Sequence, residues 1–306
     1  MFKFLTFFRS VIPINFFQNT NIHDAAKTGD VFIVKSLLEE NRNYVFEVDE
    51  LDRTALILAA SRGHSEVVKI LIEHHADLNH SDEFFETAIH YATLNGHVQT
   101  VEILIEHKAE LGQFGAMGST VLNYAAGRGH LEVVQVLIEQ KVDVNQSGRK
   151  GTTALMAASR EGYLEVVKIL VKAKADVNHV NDQFDTALMF AAAGNYDEIV
   201  KILIESNADL NRENSEGFTA FKYAVYLGHQ DVVHVFEMVE KAVQDKLKSD
   251  FLKFGNFVQN LPTYNDVNQS SSLFISVVKD TLSKMTDCSS GRLPLRTGGG
   301  WVRQSD

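Results

Sequence analysis

The stretch "TALILAASRGHSEVVKILIEHHADLN", residues 54–79, returns almost unchanged as "TALMAASREGYLEVVKILVKAKADVN", residues 153–178. Each copy predicts the same local structure. A threonine opens it, and its hydroxyl can accept a hydrogen bond from an early backbone N–H of a helix. Small residues follow, such as Ala59-Ala60, and let a neighbouring helix approach closely. A glycine then interrupts the helical pattern. A second helix carries Val, Ile and Leu at helical spacing, as in "SEVVKILIE" from Ser65 to Glu73. "ADLN" or "ADVN" closes the unit and leads into a polar stretch able to form a β-turn.

The same opening recurs along the chain. Thr54, Thr87, Thr120, Thr153, Thr186 and Thr219 begin "TALILAA", "TAIHYAT", "TVLNYAA", "TALMAAS", "TALMFAA" and "TAFKYAV", 33 residues apart each time. "TNIHDAAKTGD" opens an earlier copy at Thr20, 34 residues before Thr54, which predicts one residue inserted in the first loop. The breaking glycines are read as Gly29, Gly63, Gly96, Gly129, Gly162, Gly194 and Gly228. Seven copies at a fixed period, from about residue 19 to about residue 240, predict a solenoid in which each helix pair packs on its neighbours.

These residues resemble the ankyrin repeat, whose signature T-P-L-H-x-A recurs about every 33 residues. The resemblance covers about 220 of the 306 residues. It implies an all-α fold: an ankyrin-repeat solenoid of helix–turn–helix pairs with β-turn fingers, plus a C-terminal helical extension. The sequence departs from the signature in three ways. The proline is replaced by Ala55, Ala88, Val121, Ala154, Ala187 and Ala220, and the histidine stands only at His23 and His90. The glycine that usually ends the second helix is replaced by His75, Lys108, Lys141, Lys174 and Asn207. A left-handed position costs a non-glycine residue about 1 kcal/mol, so the array is expected to be less stable than an idealised one.

Composition sets further bounds. Of the residues, 45% are hydrophobic and 23% charged, as in an ordinary folded protein. The net charge of −11 argues against nucleic acid as a partner, since phosphates need a basic surface. The single cysteine, Cys288, leaves no internal disulfide and fits a reducing compartment, the cytoplasm. No run of 18 apolar residues exists, so no membrane-spanning helix is expected.

Four segments follow from this reading. Residues 1–18 are apolar, but Arg9 interrupts them and no small-residue cleavage site follows, which argues against a secretory signal. They are read as a cap on the first repeat or as a short amphipathic helix, with Phe4, Phe7, Phe8 and Val11 on one face. Such a helix would bind a membrane only weakly. Residues 19–240 form the seven repeats. In residues 241–261 the spacing of Val232, Phe236, Val239, Val243, Leu247 and Phe251 continues a capping helix until Pro262 stops it. Residues 262–306 hold a second amphipathic stretch, "SSLFISVVKDTLSKM", with Phe274, Val277, Val278, Thr281, Leu282 and Met285 on one face, and then a flexible tail.

Nothing in the sequence supports catalysis. His64, His97, His130 and His229 recur, but residues one repeat apart are too distant to share a metal ion at ~2 Å bonds. There is no H-E-x-x-H, C-x-x-C or G-x-S-x-G, and "SGRKGTT" lacks the spacing of a phosphate loop. The chain is therefore expected to have no catalytic residue, metal or cofactor, and not to be an enzyme.

The resemblance implies instead that a partner protein is bound on a concave face, by the turn tips and the exposed edge of the first helices. Copies two and three place Glu50, Leu51, Phe84, Glu86 and Leu94 there, and copies four and five place Met117, Arg128, Arg149, Lys150 and Arg160. Asp182 and Asp185 come from copy six, Phe218 and Tyr226 from copy seven. An acidic chain thus carries a basic centre, flanked by acidic and apolar groups. Phe84, Phe85, Met117 and Phe184 fall at tips where solvent is expected, and apolar groups beside arginines are the usual composition of a binding hot spot.

The expected function is that of a monomeric scaffold or adaptor whose protein partner presents an acidic segment. The 20 phenylalanines and the short array lean toward an injected bacterial effector acting in a host cytosol. Two alternatives stay open: an activity or targeting signal in the C-terminal segment with the repeats as substrate receptor, and a scaffold tethered to a membrane by the N-terminal helix. Asn79, Asn145, Asn178 and Asn211 each end an "ADLN"-like turn with a leucine eight residues earlier, which resembles the acceptor pattern of asparaginyl hydroxylase in ankyrin repeats. Copy three carries Gly112 there and is expected to be silent.

Overall fold

The structure is a computed structural model and describes residues 20–259, with the side chains of Met117, Phe251 and residues 254–259 left aside. The expected N-terminal segment 1–18 and the amphipathic stretch and tail of 262–306 lie outside the described residues.

Seven helix pairs make up the described chain. The first helices are α1 (Ile22–Thr28), α3 (Ala55–Ser61), α5 (Ala88–Leu94), α7 (Val121–Gly127), α9 (Ala154–Glu161), α11 (Ala187–Ala193) and α13 (Ala220–Leu227). Their second helices are α2 (Val31–Glu40), α4 (Ser65–Glu73), α6 (Val98–Glu106), α8 (Leu131–Glu139), α10 (Leu164–Lys172), α12 (Asp197–Glu205) and α14 (Gln230–Gln259). The fold is an all-α solenoid, and the described residues contain no strand beyond an isolated antiparallel bridge between Val48 and Thr54. First helices stack on first helices and second on second, in two layers.

The threonines cap as the sequence requires. Thr54, Thr120, Thr153, Thr186 and Thr219 each accept from the backbone N–H three residues on, at 3.1–3.4 Å. Copy one differs: the cap of α1 is Asn21, not Thr20, and its carboxamide oxygen accepts from the Asp24 N–H at 2.8 Å. Asparagine caps at least as well as threonine, so the helix starts one residue later.

Alanine pairs such as Ala59-Ala60, Ala125-Ala126 and Ala191-Ala192 are buried between first helices. Leu56, Leu71, Leu104, Leu137 and Leu170 are wholly buried, each stabilising the stack by roughly 1.5–3 kcal/mol through apolar surface removed from water.

The turn between the two helices of a copy holds a socket. Gly63 has φ +73°, and a Cβ built on it would lie 2.6 Å from the His97 ring of the next copy. That ring also bonds through Nε2 to the Ser61 carbonyl at 3.1 Å. His64 and His130 repeat the arrangement on the Lys27 and Leu94 carbonyls, and Tyr163 and Tyr196 fill it over Gly129 and Gly162. The recurrent histidines are thus wedges between repeats. Copy six corrects the sequence reading. Gly194 has φ −85°, and Asn195 takes the left-handed place at φ +60°. Asparagine is among the few non-glycine residues that adopt this conformation readily.

The second-helix ends keep the conformation of the glycine they replace: His75, Lys108, Lys141, Lys174 and Asn207 are left-handed, at φ between 60° and 71°. Helix α14 runs well past the length of the other second helices. Its Val232, Val235 and Phe236 are buried over the last repeat, with Phe236 edge-on to Phe221 at 5.7 Å. The chain divides into two compact units between Ala242 and Val243, inside this helix.

Candidate partner-binding face

Each first helix from α3 onward is preceded by a finger, a turn whose tip is set by one left-handed residue. Asp52, Phe85, Gly118, Gly151, Phe184 and Gly217 occupy that place, with φ between 59° and 75°. In four fingers the residue three places earlier ties the turn. Asp49, Asp82, Asn181 and Asn214 each accept two backbone N–H bonds through one side-chain oxygen, at 2.8–3.0 Å. Such Asx turns mimic a backbone hydrogen bond and fix the loop. Neighbouring fingers are joined by single backbone bonds: Glu83 N–H to Leu51, Asp182 N–H to Lys150 and Ser215 N–H to Gln183.

Fingers four and five have Gly115 and Gly148 at that place, with no side-chain acceptor to offer. Finger four is tied from outside. Glu86, at the base of finger three, accepts from the Ala116 N–H at 2.8 Å and from the Tyr124 hydroxyl. A Cβ at Gly115 would lie 2.2 Å from Glu86 Oε2, so the glycine makes room for the carboxylate. Glu86 is therefore not an exposed contact residue, as the sequence led us to expect, but 5% exposed. Burial first of all raises its carboxyl pKa above the usual carboxylate range, opposed by the two donated bonds and reinforced by nearby Asp82. Oε2 lacks a hydrogen-bond partner among the described residues. His90, buried beside it, accepts at Nδ1 from the Thr87 hydroxyl at 2.9 Å and therefore donates from Nε2 to the Gln113 carbonyl at 3.2 Å. Desolvation lowers its pKa and keeps it neutral.

Finger five is also tied from outside, by the Asn123 carboxamide of copy four, which donates to the Thr152 carbonyl at 2.9 Å, and its Lys150 is itself left-handed at φ +63° before Gly151. Arg149 and Lys150 are exposed on it. The structure splits the expected basic centre into two pairs. Arg149 and Lys150 lie at the finger, whereas Arg128 and Arg160 lie at the far ends of α7 and α9, roughly 10 Å away along a seven-residue helix. Arg160 pairs with Glu161 at 2.9 Å, while Arg128, Arg149 and Lys150 form no ion pair among the described residues.

The other expected residues divide by exposure. Glu50, Phe84, Asp182 and Tyr226 are open to solvent; Leu51, Leu94, Asp185 and Phe218 are half-buried. Asp185 is already engaged by the Asn214 carboxamide at 2.7 Å, and Phe218 packs on Tyr223 and Tyr226. The side chain of Met117 is outside what is described. Phe84 and Phe85 are 51% and 70% exposed and Phe184 53%; Phe114, which the sequence reading passed over, is 49% exposed. Its signal was its place in the repeat, where copies three and five have Ser81 and Ser147.

The four asparagines follow the C-terminal ends of the second helices, in the connections that lead to the fingers. Asn79, Asn145 and Asn178 accept through Oδ1 from the Glu110, Asp176 and Asp209 N–H groups of the following copy, at 2.7–3.0 Å. Asn211 is exposed, and Gly112 breaks the ladder in copy three.

The family described as Ankyrin repeats (3 copies) matches residues 22–115, 112–181 and 173–245, and the chain belongs to that family. The crystal structure of the human ASB11 ankyrin repeat domain matches with a TM-score of 0.64 over 71% of this chain and 98% of that one, at 24% identity, a likeness of fold. A 53-residue stretch is 42% identical to BTB/POZ domain-containing protein 3 of Schizosaccharomyces pombe, covering 17% of this chain and 10% of that protein. Another of 49 residues is 45% identical to the Acyl-CoA-binding domain-containing protein 6 homolog of Dictyostelium discoideum, covering 16% of this chain and 17% of that protein. The chain thus spans a small part of the length of these curated relatives. Ankyrin arrays are, in general, protein–protein interaction scaffolds.

Proposed function

We propose that the chain is an adaptor that works by binding, and that an acidic segment of a partner protein docks on finger five, with Phe84, Phe85, Phe114 and Phe184 as apolar anchors on either side. The observation that carries this reading is the exposed pair Arg149 and Lys150, without an ion partner among the described residues, on a chain of net charge −11. Unneutralised basic groups on an acidic protein select partners of opposite sign and act chiefly on the rate of encounter. Exposed aromatic rings act through burial and so on dissociation. The one cysteine in 306 residues supports a cytoplasmic setting.

Binding kinetics at two salt concentrations, with a partner peptide rich in Asp, Glu and aromatic residues, test the proposal. Arg149→Glu with Lys150→Glu is expected to slow association at least several-fold, with helix content unchanged, because the finger tip has little core packing. The parent's association rate is expected to fall as salt shortens the Debye length to ~8 Å near 0.15 M. Phe84→Ala is expected to speed dissociation instead. Unchanged association by the charge-reversed chain at low salt would remove finger five from the interface.

A further inference from the structure

Helix α14 is a 30-residue element where the other second helices have nine or ten; at a rise of 1.5 Å per residue it is about 45 Å long. One apolar stripe follows its length. Val232, Val235 and Phe236 fill the stripe where it lies on the array, and all three are buried. The stripe goes on through Val239, Val243 and Leu247, and the sequence continues it at Phe251, Phe254 and Val258. Past Ala242 the cover is lost: Val243 is 44% and Leu247 48% exposed. Apolar positions kept at three- and four-residue spacing for about six turns beyond the last buried one are the pattern of a helix that has a partner there.

The remaining chain contains a segment that fits. Phe274, Val278, Leu282 and Met285 repeat the same spacing, and no glycine or proline occurs from Thr263 to Ser290. Pro262 disfavours a continuation of α14. The 11 residues between Pro262 and Phe274 exceed the roughly 2–8 that join antiparallel helices, so a reversal is unstrained. Residues 274–285 span about 18 Å of helix, enough to cover twelve of the sixteen residues 243–258, which span about 24 Å. The other occupants fit less well. A second copy of the chain would cover α14 and leave the stripe of 274–285 bare. An anionic membrane would meet Asp245 and Asp250 between the lysines that border the stripe, which weakens its attraction. A tethered segment also acts at an effective concentration of about a millimolar.

We infer that residues 274–285 fold back as an antiparallel helix on the stripe of α14 from Val243 to Val258, closing a two-helix hairpin. Antiparallel pairing sets Met285 beside Leu247 and Phe274 beside Val258.

The full chain with Cys288→Ser, Leu247→Cys and Met285→Cys is treated with a short bismaleimide. The control carries Ser283→Cys in place of Met285→Cys, on the other side of the same helix. The expected result is a monomeric cross-link formed severalfold faster with position 285 than with 283, independent of protein concentration. Equal rates would mean an unstructured tail and would overturn the inference. So would covalent dimers whose yield rises with concentration, the mark of a second copy. Loss of the cross-link with flotation on phosphatidylserine-containing vesicles would assign the stripe to a membrane and equally defeat it. Hydrogen exchange on the unsubstituted protein guards against effects of the cysteines. Ending the chain after Leu261 is expected to speed exchange at residues 243–258, and no change there would also overturn the hairpin.

Discussion

Glu86 shows what one residue can do that its sequence neighbourhood does not disclose. The period of 33 residues pointed to an exposed finger position, because Arg53, Ser119 and Thr152 stand at the same place in other copies. What turns Glu86 inward is the absence of a side chain at Gly115, about thirty residues away, together with two donors from copy four. A carboxylate so placed makes stability depend on pH. Burial raises its pKa above the unfolded value, so the folded state takes up the proton more readily. The stabilising contribution is therefore complete below the unfolded pKa and is lost as pH rises through the folded one. Glu86→Gln keeps one oxygen for Ala116 and Tyr124 and removes the charge. The variant is expected to gain on the parent at pH 7 and to lose that advantage toward pH 4.5, measured as the difference between their urea midpoints. A difference that stays constant or grows on acidification would show that the carboxylate does not titrate as its burial requires.

The helix pair is the scale at which sequence spoke most clearly. Threonine caps, alanine pairs and left-handed second-helix ends were all legible, because each depends on neighbours within a few residues. The wedge between copies was only half legible. The histidines were seen to recur, but their seat over the preceding glycine required the stack itself. Copy six was misread for a related reason: Gly194 drew the eye, while the 33-residue period points to Asn195, which the backbone confirms. The wedge can be tested as a unit. Gly63→Ala is expected to destabilise the array by roughly 1–3 kcal/mol, since it adds a methyl 2.6 Å from the His97 ring to a left-handed backbone. Combining it with His97→Ala is expected to recover the part due to collision and leave the part due to φ. Thermal unfolding of the two single variants and the double variant separates these contributions; strict additivity would show that ring and glycine do not interact.

At the scale of the whole molecule, the fold is a sum of near-neighbour contacts and so depends on how it ends. The apolar surface of α13 is closed by Val232, Val235 and Phe236 of α14, with Phe221 against Phe236. A chain ending at Gly228 is expected to unfold at a distinctly lower urea concentration and to aggregate, whereas one ending at Ala242 keeps the midpoint of the full array, followed by circular dichroism. Equal midpoints for both would show that the last repeat needs no cap. The binding face was less legible than the fold. Exposure of Arg149 and Lys150 follows from the repeat, but their separation from Arg128 and Arg160 follows from the length of a helix between them. The wedges also give the stack a direction. Every ring seats in a socket made of residues that precede it, His64 over Gly29, His97 over Gly63, Tyr196 over Gly162. A chain emerging from the ribosome therefore offers each new repeat a surface that is already assembled, and synthesis and folding can proceed in step from the amino terminus.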